Sequence, residues 1–149
     1  MKLLVQRVSG ARVAVDGRTT AEIGTGMLVF VGVEKGDTVD QAGLLAKKLA
    51  GFRIFEDGNG KMNLSLREVK GEALVVSEFT LAADVRKGTR PSFDTAEAPE
   101  RARDLIAQFI EFLRGFELPV KEGVFGTEMA VSLVNDGPVT FLIESRASS

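Results

Sequence analysis

The chain has 149 residues, 44% of them apolar and 27% charged, with a formal charge of −2. That is the make-up of one ordinary globular domain, long enough to bury a sizeable core, and its charge does not suit wholesale polyanion binding. It contains no His, Cys, Tyr or Trp, which excludes a Ser-His-Asp triad, a Cys-His pair, thiol catalysis and disulfides, and leaves hydroxyls, backbone groups, carboxylates, amines or the substrate itself to do chemistry.

Leu3 to Val8 and Arg12 to Asp16 read as two short strands around Ser9-Gly10, and Asp16-Gly17 as a hairpin turn. The run from Gly26 to Val33 is continuously apolar, which predicts a strand covered on both faces. Thr38 to Gly51 predicts the first helix. Thr38 and Gln41 form a capping box, Ala42, Leu45, Ala46 and Leu49 share a face, and Gly51 is placed to stop it. Arg53 to Phe55 reads as a strand and Asp57-Gly58-Asn59-Gly60 as a plain turn, since calcium-loop spacing is absent.

Glu72 to Ala82 predicts a strand, with Ser77 and Phe79 on one face and Glu78 and Thr80 on the other. Arg86 to Phe93 is a basic loop holding Gly88 and Pro91. The second helix is predicted from Pro99 to Arg114, with Ala102, Leu105, Ile106, Phe109, Phe112 and Leu113 as its core stripe. Strands are predicted at Thr127 to Val134 and Val139 to Glu144, joined by a Gly-Pro turn, and Ser145 to Ser149 as a frayed tail. No linker or repeat interrupts the chain, so residues 1–149 read as a single α/β domain with helices stacked on sheet. No apolar run approaches the roughly 18 residues of a membrane helix, and no signal segment is evident, so a cytoplasmic protein without membrane contact is expected. No Gly-rich phosphate loop is present, and a zinc site would have to be all carboxylate, so neither metal nor cofactor is expected.

Two segments carry the functional reading: Ser77-Glu78-Phe79-Thr80-Leu81, and Asn135-Asp136-Gly137-Pro138-Val139-Thr140. With Val5-Gln6-Arg7-Val8, Arg53 to Asp57, Gly88 to Phe93, and Phe125-Gly126 followed by Met129, they make six pieces in order along nearly the whole chain. Together these resemble the D-aminoacyl-tRNA deacylases (the D-Tyr-tRNA deacylase family), in which a Ser-Gln-Phe-Thr-like strand faces a Gly-Pro motif followed by Val-Thr. The chain departs from that pattern at Glu78, where Gln is usual, and at Thr127, where a smaller residue is expected.

The resemblance implies a layered, barrel-like sheet with two helices packed on one face. It implies a homodimer in which a cis Gly137-Pro138 motif from one subunit enters the site of the other, aiming the Gly137 and Pro138 carbonyls at the α-carbon of the aminoacyl group. An L side chain would collide there, while a D side chain or glycine would pass. The implied reaction is chiral proofreading, namely hydrolysis of the ester of D-aminoacyl-tRNA, together with glycine mischarged on tRNA(Ala). Ser77, Phe79 and Thr80 are then the candidate catalytic residues. Either the ribose 2′-OH helps activate water while backbone N–H groups around Phe79 and Thr80 hold the oxyanion, or Thr80 acts as nucleophile with Glu78 or a Lys as base; the first route is favoured. On the same resemblance Arg7 braces the Gly-Pro loop, Phe125 and Met129 take the terminal adenosine, and Arg86, Lys87 and Arg90 take phosphates of the single-stranded 3′ end. Ionised Glu78 can only accept a hydrogen bond where Gln would also donate, which puts its contact with substrate in question. The partner expected is the aminoacylated tRNA 3′ end, not DNA. Two other functions fit the same residues: a broad L-aminoacyl or small-ester hydrolase, and a non-catalytic RNA-end binder.

Overall fold

The computed structural model describes residues 1–145. The described chain runs β1 (Lys2–Val15), β2 (Arg18–Ile23), β3 (Gly26–Gly32), α1 (Val39–Ala50), β4 (Phe55–Glu56), β5 (Met62–Leu64), β6 (Glu72–Ser77), a 3-10 turn (Phe79–Ala82), α2 (Pro99–Gly115), β7 (Val120–Glu122) and β8 (Ala130–Glu144). The main sheet is ordered β2-β1-β3-β6-β7, with β8 on the other edge of β1, and β4 pairs with β5 in a separate small ribbon.

β3 runs antiparallel to β1 and parallel to β6, and β6 parallel to β7. Parallel neighbours need crossovers, and here α1 and α2 supply them, both lying on one face of the sheet. Alternate residues of the central strands, Met27, Val29 and Val31 of β3 with Ala73 and Val75 of β6, join Leu45, Leu49, Phe109 and Leu113 of the helices in the larger core. The intervening Leu28, Leu74 and Val76 face away and join Val8, Ala11, Val13 and Ile23, with Met129, Val131 and Leu133 packed against them. The second half of β1, β2 and the start of β8 thus curl over the face opposite the helices, bringing the sheet close to a barrel. The unbroken apolar run of β3 follows from this cover on both sides, as expected.

β1 is one strand where two were expected. Its buried face switches at Arg7-Val8, so its first half (Leu3, Val5) serves the helix-side core and its second half the other. Asp16 and Gly17, both at positive φ (51° and 78°), make the predicted hairpin turn into β2.

The first helix keeps the predicted cap: the Thr38 hydroxyl accepts from Gln41 N–H at 3.3 Å, and Gln41 Oε1 accepts from Thr38 N–H at 2.7 Å. In α2, Ile110 is buried where Phe112 was expected; Phe112 instead stays partly exposed beside Gly43 of α1. β5 and β7 were not anticipated, being only three residues each, and the strand expected at 53–55 is Phe55–Glu56. Ser145 is tied to Met1, its N–H donating to Met1 O at 2.9 Å and its carbonyl accepting from the terminal amine at 2.7 Å. The remainder of the expected tail lies outside the described residues.

The strand expected from Glu72 to Ala82 ends at Ser77, and the chain turns into the 3-10 segment. Phe79 and Thr80 therefore do not alternate faces on a strand. A second correction concerns the Gly-Pro segment. Ala130–Glu144 is not a hairpin but one strand, β8, antiparallel to β1 on both sides of the Gly-Pro segment. Gln6 pairs with Thr140 and Val8 with Asn135, so Asp136 to Val139 stand opposite Arg7 alone and bow out as a bulge.

Candidate active site

β6 stops at the carboxyl end of the parallel part of the sheet, where open α/β sheets commonly place their ligand crevice. A cleft of about 500 Å³ opens there. Its lining includes Val31 and Val76 from the strand ends, Ser77, Glu78 and Phe79 from the turn that follows, Pro99, Ala102 and Ile106 from α2, and Phe125, Thr127 and Met129 from the segment before β8. Ala102 and Ile106 were expected only as core. They have helical spacing, but nothing in that spacing shows that the first half of α2 overhangs a cavity.

The turn after Ser77 is organised by backbone hydrogen bonds. Glu78 N–H donates to Val31 O at 2.8 Å, which anchors the turn to β3, and Leu81 N–H donates back to Glu78 O at 3.1 Å. The amides of Phe79 and Thr80 fall between these and take no part in the turn's own ladder, as is usual for the first amides of a helical segment. The Thr80 hydroxyl donates to the Glu78 carboxylate. Glu78 lines the cleft, while Thr80 is exposed and does not. The Phe79 ring projects outward and meets Phe93, with centroids 5.1 Å apart.

On the opposite wall, Gly126 (φ 75°) turns the chain between Phe125 and Met129. Thr127, the second departure from the resemblance, closes this turn by donating its hydroxyl to Val124 O at 2.8 Å. Gly123 leaves room for Met129, whose Sδ would lie 2.9 Å from a Cβ at that position. The guanidinium of Arg103 lies over the Phe125 ring, 5.1 Å from its centroid.

The basic loop is closed by reciprocal backbone bonds between Asp84 and Ser92 (2.7 and 2.9 Å). Arg86 grips the Asp84 carboxylate with Nε and Nη2 at 2.9 and 2.8 Å. That bidentate contact, helped by the Arg86 N–H, holds the Asp84 carboxyl down at about 2. Arg86 is therefore engaged within the loop, while Lys87 and Arg90 are exposed and stand outside the cleft lining.

Arg7 is buried, with 5% exposure. Its Nε donates to Asp136 O at 3.0 Å and its Nη1 to Ile54 O at 2.8 Å, with the Glu56 and Asp136 carboxylates at 3.7 and 3.6 Å. Within the bulge, Val139 N–H donates to Asn135 Oδ1 at 2.7 Å, and Asn135 Nδ2 to Thr140 Oγ1 at 2.9 Å. The Gly137–Pro138 peptide is cis, and Gly137 has φ 142°. Neither Gly137 nor Pro138 lines the cleft of its own chain. The structure thus gathers Ser77, Glu78, Phe79, Phe125 and Met129 at one site, and Arg7, Gly137 and Pro138 at another.

Comparison with known proteins agrees across the full length. The sequence profile of the D-Tyr-tRNA(Tyr) deacylase family matches residues 4–144. The D-aminoacyl-tRNA deacylase of Geobacter sulfurreducens is 54% identical over 149 residues, covering 100% of this chain and 98% of that protein. That of Persephonella marina is 54% identical, covering 99% of each chain. Among solved structures, one described as c-Myc DNA Unwinding Element Binding Protein is 40% identical with a TM-score of 0.92, covering 99% of this chain and 100% of that one. A probable eukaryotic D-amino acid tRNA deacylase, 18% identical, shares the fold with a TM-score of 0.79 over 95% of this chain and 97% of its own. The order of motifs, the cleft at the end of β6 and these matches lead to one conclusion: the chain belongs to the D-Tyr-tRNA(Tyr) deacylase family.

Proposed function

We propose that this protein hydrolyses the ester of D-aminoacyl-tRNA in the cytoplasm, releasing the D-amino acid and tRNA, sparing L-aminoacyl-tRNA, and also clearing glycine mischarged on tRNA(Ala). One observation carries the reading: in a chain without His or Cys, the cleft is lined by Ser77, Glu78 and Phe79, and the turn there leaves the amides of Phe79 and, just outside the lining, Thr80 unladdered, across from an apolar and thioether surface of Phe125 and Met129. The terminal adenosine lies against Phe125 and Met129. Its ester carbonyl points to the amides, which hold the oxyanion, and the adjacent ribose hydroxyl assists water. Exposed Lys87 and Arg90 take phosphates of the 3′ end.

Chiral selection is assigned to the Gly137 and Pro138 carbonyls. Because this motif lies away from the cleft of its own chain, a second copy of the chain supplies it, and the working unit is a homodimer with the site at its interface. Arg7 sets the position of the motif through Asp136. A second reading has a specific observation behind it: the Thr80 hydroxyl donates to Glu78 and so has a base in hand. Thr80→Val separates the two, since loss of all turnover supports a Thr80 nucleophile and retention supports assistance by the RNA.

The test of the function is single-turnover hydrolysis of D-Tyr-tRNA against L-Tyr-tRNA. Cleavage of D with L spared is the expected result. Cleavage of both indicates a general esterase. Binding of aminoacylated tRNA, or of duplex DNA, without cleavage of either indicates a nucleic-acid binder.

A further inference from the structure

The charged side chains lining the cleft are Glu78, Glu97 and Glu128, and no Lys or Arg is among them. A nucleic-acid 3′ end brings a phosphate with every nucleotide, so its backbone has to leave such a cleft over the rim and meet cations there. On the Phe79 side, the Phe79–Phe93 contact leads to the loop of Lys87 and Arg90. On the Phe125 side, the cation in place is Arg103.

Arg103 is exposed on α2 and lies 5.1 Å from the Phe125 centroid. Among the described residues its side chain has no ion pair or hydrogen bond. Glu122 shares a side pocket of about 80 Å³ with it, but that carboxylate is paired with Arg114 at 3.5 Å. A guanidinium laid on an aromatic face is held flat while its N–H edge stays free, and that edge matches two phosphate oxygens.

We propose that Arg103 is a further substrate-binding residue, meeting the phosphate on the 5′ side of the terminal nucleoside whose base lies against Phe125. The inference rests on the deacylase reading above. Its test uses two small substrates, the 3′-D-tyrosyl esters of adenosine and of adenosine 5′-monophosphate, with D-Tyr-tRNA alongside. Arg103→Ala raises KM about tenfold for the phosphate-bearing ester with kcat kept, leaves the plain adenosine ester unchanged, and lowers the log–log salt slope on D-Tyr-tRNA by about 0.7. Arg103→Lys recovers only part of the phosphate preference, because its ammonium keeps the charge without the flat, two-toothed edge. Equal losses on both esters would reduce Arg103 to a packing partner of Phe125 and overturn the proposal. An unchanged salt slope on D-Tyr-tRNA would overturn it too. Wild-type protein that cleaves neither ester nor D-Tyr-tRNA would bring down the deacylase reading itself, and this inference with it.

Discussion

Glu78 and Thr80 hold each other at the mouth of the cleft. The carboxylate accepts the hydroxyl, and a Gln side chain would accept it equally through its carbonyl while adding a donor toward the site. Glu78→Gln is therefore expected to keep or raise the single-turnover rate on D-Tyr-tRNA at neutral pH, and a fall of more than about tenfold would show that the carboxylate is required. Arg7 presents a different case. It is buried and serves two carbonyls on separate segments, one on the Gly-Pro bulge and one beside β4. Arg7→Leu is expected to cost about 2–4 kcal/mol in urea unfolding, since both carbonyls lose a charged donor. Arg7→Lys should recover little, because one ammonium cannot span two directions as the planar fork does. A loss under about 1 kcal/mol in either variant would mean that the bulge stands without it.

At the scale of elements, β3 and β6 approach closely at their first residues, the end away from the cleft. Gly26 pairs with Glu72 at the start of both strands, and a Cβ there would run into the Glu72 carbonyl. Gly26→Ala is expected to destabilise by about 3 kcal/mol or more, because backbone rather than a yielding side chain must move. The cap on α1 is more forgiving: Thr38→Ala should cost about 1 kcal/mol, read from the thermal midpoint, with activity unchanged. Capping box and apolar spacing made α1 legible from sequence, since both are local. The end of β6 was not legible, because Phe79-Thr80-Leu81 has good strand formers and only the missing neighbour beyond Val31 lets the chain turn there. The Gly-Pro segment misled for a related reason. Gly-Pro ordinarily signals a turn, yet β1 stays paired on both sides of it and the excess residues simply bow out.

For the whole molecule, several carboxyls are held below their ordinary values. Asp84 is held by Arg86, Asp57 by the amides of Lys61 and Asn59, and Glu68 by the amide and hydroxyl of Ser65. A carboxyl depressed on folding adds stability that is present above its unfolded value and is lost as pH falls through the folded one. For Asp84 those limits are 3.8 and about 2. Urea midpoints should hardly respond to these groups from neutral pH down to about 5 and should fall from there toward 2. Asp84→Asn should remove part of that acid sensitivity, and the effect should be small because the pair is exposed. A midpoint that rises on acidification below about 5 would contradict this linkage.

Composition alone removed His- and Cys-based chemistry, and the ordered motifs brought the chain to its family, because residue identity and order are all that either inference needs. Helix boundaries and the buried character of β3 were also readable, through capping and patterning that operate over a few residues. The sharing of β1 between two cores, the turn at Ser77, the continuity of β8 through its bulge, and the separation of Gly137 from the cleft of its own chain were decided only by the tertiary structure. Each depends on which strand lies alongside, and that is set by contacts between residues far apart in the chain. The same holds for Arg103: nothing in its neighbours along α2 marks it, and only the fold lays it over Phe125.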